Sequence, residues 1–128
     1  MIKHIQQIDY VILLCDDFAG MKAFYQSLFD FRVVAEREDV LAMQVGAMTF
    51  CLRKRTRHYD GTSPGTQHPG VQLAFRVATG EVDACYQELQ DKGVTILDPP
   101  QDQFWGHRTV FFRDPEGNLL EFYEELER

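Results

Sequence analysis

The chain repeats itself. Ala23 to Leu28 reads AFYQSL and Ala84 to Leu89 reads ACYQEL. Each stretch follows an apolar strand candidate and precedes a β-rich run. Such a duplication restricts the fold to two copies of one supersecondary unit, each too small to bury its apolar face alone. In the first half, Ile8 to Cys15 reads as a strand and Asp16 or Asp17 as a helix cap. Phe18, Met21, Phe24, Tyr25 and Leu28 then recur at helical spacing. In the second half, Val71 to Val77 is the strand, Thr79 the cap, and Val82, Cys85 and Leu89 the helical stripe, with Gly93 as the stop.

Three short strands are predicted after each helix: Phe31 to Glu36, Val40 to Val45 and Met48 to Arg53, then Thr95 to Leu97, Arg108 to Arg113 and Leu119 to Glu124. The expected fold is α+β, two βαβββ modules whose curved mixed sheets surround a cleft. Module 1 spans about 5–57, a linker rich in Gly, Pro, Ser and Thr about 58–70, and module 2 about 71–126. With 128 residues, 45% of them hydrophobic, the chain has material for one domain with a real core.

The net charge of −7 argues against non-specific nucleic-acid binding, which needs a basic surface. No segment reads as a signal peptide or a membrane span. The three cysteines, Cys15, Cys51 and Cys85, lack metal-finger spacing and read as reduced thiols of a cytoplasmic protein. Gly-rich phosphate loops and nucleophile elbows are absent, so bound-nucleotide hydride transfer and triad hydrolysis have no support.

Chemistry concentrates in the last hairpin. Asp114-Pro-Glu-Gly117 is a turn signal, and side chains of the following strand alternate faces. Leu120 and Phe122 share one face; Leu119, Glu121 and Tyr123 share the other. Glu121 is therefore either a solvated strand carboxylate or an acid aimed into a cavity. Arg53-Lys-Arg-Thr-Arg-His58 is the one cationic cluster, and is either a solvated strand end or, through Arg53 on the Cys51 face, a contact for an anionic group. Arg76 falls on the Gln72 face. Trp105 and His107 lie in an aromatic-rich turn, where Trp105 serves as a ligand lid or as packing. His4 and His68 read as surface residues.

Ile8 to Leu13, Phe24-Tyr25 with Leu28, and Asp114-Pro-Glu-Gly-Asn-Leu-Leu-Glu121 together resemble the vicinal oxygen chelate superfamily of glyoxalases, extradiol dioxygenases, fosfomycin-modifying enzymes and bleomycin-resistance proteins. The likeness covers nearly the whole chain. Asp30 stands where the family often has glycine, and Asp tolerates a left-handed backbone. Superimposing the halves pairs Tyr10 with Gln72 and Cys51 with Glu121, the positions from which the family draws its metal ligands. The resemblance implies a small organic substrate in the cup and a homodimer. It also implies a divalent ion (Zn, Ni, Mn or Fe) on Glu121, Gln72 and Cys51, supporting lyase, isomerase or dioxygenase chemistry at Glu121. Tyr10 replaces the usual first-strand His. The alternative is a metal-independent binding protein of the bleomycin-resistance kind. Tyr10, Arg53, Trp105, His107 and Tyr123 are the expected substrate contacts.

Overall fold

The computed structural model describes residues 1, 3–4, 6–60 and 71–127. They form two compact units, one on either side of 61–70. The stretch 61–70, with most of the expected linker and His68, lies outside the described residues.

The first unit runs β1 (Tyr10–Cys15), α1 (Phe18–Leu28), β2 (Arg32–Arg37), β3 (Val40–Val45) and β4 (Met48–Lys54). Its sheet has the order β1-β4-β3-β2, with β1 parallel to β4. Asp17 caps α1 by accepting from the Gly20 N–H at 3.0 Å. Glycine at 20 matters here, because a Cβ at that position would collide with the Asp17 carboxylate. Register places Val11, Leu13 and Cys15 on one face with Phe50 and Leu52. Met21 and Tyr25, the fully buried residues of α1, close this core, and Tyr25 meets Phe50 edge-on at 5.1 Å. The opposite face carries Tyr10, Ile12, Cys51 and Arg53.

The second unit repeats the plan: β5 (Gln72–Arg76), α2 (Val82–Asp91), β6 (Ile96–Asp102), β7 (His107–Arg113) and β8 (Leu119–Glu125). Its sheet has the order β5-β8-β7-β6, with β5 parallel to β8. The core holds Val110, Phe112, Leu120 and Phe122 with Val82 and Leu89 of α2, all buried. The Asp114 carboxylate organises the β7–β8 turn, accepting from the Glu116 and Asn118 N–H groups at 2.9 and 3.0 Å, with Gly117 at φ 87°. The fold is thus the expected α+β pair of βαβββ modules.

Four local expectations change. β1 begins at Tyr10 rather than Ile8, whose side chain is exposed. β6 runs to Asp102 through Pro99 and Pro100. As the edge strand of its sheet it can lack N–H donors on the outer side, and its pairing slips between Asp98 and Gln101. Thr79 does not cap α2: the helix begins after Glu81, which makes no side-chain cap bond, and Glu124 of β8 takes the Gly80 and Val82 N–H groups instead. Asp30 needs no left-handed backbone, since α1 ends in extended Phe29 and no described residue other than glycine has positive φ. No helix among the described residues is long and apolar enough to cross a membrane.

Candidate functional site

Strand alternation in the second unit sorts two kinds of side chain. The even positions of β8 (Leu120, Phe122 and Glu124) are buried with α2. The odd positions look the other way, in register with the even positions of β5 and the odd positions of β7. Ala74 and Phe111 flank Glu121, and Arg76 and Thr109 flank Tyr123. This face forms a concavity of about 560 Å³ lined by Gln72, Trp105, His107, Phe111, Glu121 and Tyr123, with Ala74 and Leu119 between them.

Glu121 is only 7% exposed, although it lines the concavity. One of its oxygens, Oε1, accepts from the Gln72 side-chain amide at 3.0 Å. The other, Oε2, has no hydrogen-bond partner among the described residues. A carboxylate this far removed from water gains most from a partner that donates to it. The neighbouring wall is aromatic. His107 stacks on Tyr123 with ring centroids 4.4 Å apart and planes at 22°. Trp105, 45% exposed, stands at the rim, where Phe104 meets it edge-on.

Five of the residues singled out in the sequence therefore converge in this unit: Gln72, Trp105, His107, Glu121 and Tyr123. Phe111 and Glu125 complete the arrangement. Glu125 follows from β-alternation, four residues past Glu121, but its position across from His107 depends on a strand register that sequence does not reveal.

The first unit repeats the geometry with other chemistry. Tyr10 stands two residues before Ile12, the partner of Cys51, as Gln72 stands two before Ala74, the partner of Glu121. Tyr10 is 57% exposed. Cys51 is buried, and burial pushes its thiol pKa up, which disfavours the thiolate that a metal would need. Arg53 is already engaged: its guanidinium donates twice to Asp60, at 2.7 and 2.9 Å. Asp60 also accepts from the Thr56 and Arg57 N–H groups, so the basic run is a closed turn around one carboxylate. Hydrogen bonding by Arg53, then by the Arg57 backbone, holds Asp60 far below its ordinary value of 3.8. A depressed carboxylate stabilises above that ordinary value and loses its effect as pH falls through the lower folded-state value. The turn should persist through mildly acidic pH. Asp60→Asn is expected to speed amide hydrogen exchange at Thr56 and Arg57 by tenfold or so; unchanged exchange would mean other contacts hold the turn.

Donor chemistry can be tested against a divalent ion. Among the described residues no group of three or more His, Cys, Asp and Glu side chains converges. Glu121 and Gln72 supply two ligand side chains, and the amide turns its N–H toward Glu121. Protein-held catalytic ions generally take three or more protein ligands. The set does not fit a metal by itself.

A family model for the Glyoxalase/Bleomycin resistance protein/Dioxygenase superfamily matches residues 7–122. The chain belongs to this superfamily. The uncharacterized protein YwkD of Bacillus subtilis is 30% identical over 135 aligned positions covering 94% of this chain and 98% of its own. The metallothiol transferase FosB of Lysinibacillus sphaericus is 24% identical, covering 93% and 82%. Among solved structures, a glyoxalase/bleomycin resistance protein/dioxygenase family enzyme from Burkholderia phytofirmans superimposes with a TM-score of 0.77 at 22% identity, covering 92% and 98%. At that identity the likeness speaks for the superfamily fold alone.

Proposed function

We propose that the protein is a small-molecule-binding member of its superfamily. The cup of the second unit takes a flat, mostly apolar organic molecule against Trp105, Phe111 and Tyr123, and Glu121 accepts a hydrogen bond from an amine, amide or hydroxyl of that molecule. The observation that supports this most is Glu121 itself, a carboxylate with 7% exposure, in the wall of an aromatic concavity and with one oxygen unpartnered among the described residues.

Trp105 is the only tryptophan, so intrinsic fluorescence reports on this rim. Benzylamine, a flat apolar cation, is expected to change Trp105 emission saturably. Glu121→Gln should weaken its binding by roughly tenfold or more, the value of a charged hydrogen bond. An emission that stays flat into the high millimolar range would refute the reading.

The likeness to a metallothiol transferase supports a second reading, in which Glu121 belongs to a metal centre. Near-stoichiometric Zn, Ni, Mn or Fe in freshly purified protein, lost in Glu121→Ala, would establish it over the first. In either reading the chain works as a homodimer. Supporting this, Tyr10 and Ile12 on the edge strand β1 are 57% and 49% exposed, an apolar pair open to a partner. Light scattering showing only monomer at high micromolar concentration would rule the dimer out.

A further inference from the structure

Beyond Glu121, the same concavity holds a second polar group built with unusual support. His107 is held from two sides. Its ring lies flat on Tyr123, and its Nε2 stands 3.5 Å from Oε1 of Glu125. That same oxygen receives Nη2 of Arg76 at 2.9 Å. Glu125 thus lies alongside the imidazole edge while Arg76 offsets the charge of Glu125. His107 also lines the concavity, so its imidazole is within reach of a ligand there.

Position makes this a second anchor and not a duplicate of the first. Tyr123 stands two residues beyond Glu121 on the same face, roughly 7 Å along the strand, and His107 stacks over it. Between the two polar points the wall is aromatic and aliphatic: Phe111, Tyr123, Trp105 and Ala74. One end of the concavity is an acceptor, the Glu121 oxygen that has no partner among the described residues. The other end offers the imidazole of His107, whose ring N–H can donate to a ligand.

We propose that the ligand is a flat molecule of opposite polar ends, with an amine or amide N–H that meets Glu121 and an anionic group, such as a carboxylate, that meets His107. Glu125 is the positioning residue for that histidine. This rests on the reading of the cup as a small-molecule site and specifies what it selects.

The test compares three probes on the full-length protein by Trp105 fluorescence, with histidine ring nitrogens followed by ¹⁵N NMR. Benzylamine carries the donor end, 4-methylbenzoate the anionic end, and 4-(aminomethyl)benzoate both. The two-ended probe is expected to bind at least tenfold more tightly than benzylamine and to shift the His107 ring signals, which benzylamine leaves in place. In His107→Ala the ratio of the two affinities should fall to about one, and in Glu125→Gln to an intermediate value. A ratio cancels any general loosening of the pocket, so a merely structural histidine would leave it unchanged. If benzylamine binds and the added carboxylate gains nothing, the inference fails while the cup remains a binding site. If none of the three binds, the underlying reading fails with it.

Discussion

Tyr25→Ala is expected to destabilise the first unit by about 3–5 kcal/mol, the usual cost of deleting a buried aromatic side chain. Tyr25 is fully buried on α1 and meets Phe24 and Phe50 edge-on at 5.1 Å each and Phe29 stacked at 5.9 Å. Edge and offset contacts of this kind add about 0.5–1.5 kcal/mol beyond the buried area. Phe50 lies on β4, so the cavity would open between helix and strand and not at a margin that can collapse. Against a typical stability of about 5–15 kcal/mol, this is a large share. Urea denaturation followed by circular dichroism measures it. Tyr25→Phe keeps the ring contacts and separates packing from the hydroxyl. A loss below about 1.5 kcal/mol for the alanine variant would show that the aromatic cluster is not what holds α1 down.

Tyr25 was legible from sequence because helical periodicity is a local signal, as was the alternation along β8. Knowing only that neighbouring side chains alternate, one can place Leu120 and Phe122 in the core and Glu121 and Tyr123 on the opposite face, which is the arrangement found. The duplication carried this further, since Tyr10 and Cys51 do stand in the same register as Gln72 and Glu121. What stayed hidden depends on contacts between segments distant in the chain. Arg53 lies on the face that strand alternation predicts, but its partner Asp60 lies past the strand, where the charge run gives no hint of a carboxylate gathering two N–H groups and a guanidinium. The extension of β6 through two prolines depends on its being an edge, a property of sheet order that local propensity does not encode. The stack of His107 on Tyr123 follows from the β7–β8 register, and one residue of slip would have separated them.

The cap of α2 shows this dependence most sharply and carries the second large effect. Glu124→Ala is expected to cost about 2–3 kcal/mol, combining the loss of a helix cap with a buried N–H left unpaired. Sequence points to Thr79, a good capping residue at the right distance. The structure instead brings a glutamate from β8, only 5% exposed, to the Gly80 N–H and, at 3.1 Å, to the buried Val82 N–H. Its negative charge also faces the positive end of the helix dipole. Glu124→Gln retains an acceptor for one N–H and should lose roughly half as much, whereas Glu127→Ala, at an exposed position, should be nearly neutral. Chemical denaturation ranks the three. Equal losses for Glu124→Ala and Glu127→Ala would sink the cap. The consequence reaches the cup, because Glu124 lies between Tyr123 and Glu125, the two residues that carry His107. A strand fastened to the helix on its inner face holds its outer face in register, so Glu124→Ala should also broaden the His107 ring signals. If those signals stay sharp while stability falls, the cup draws its order from the sheet alone.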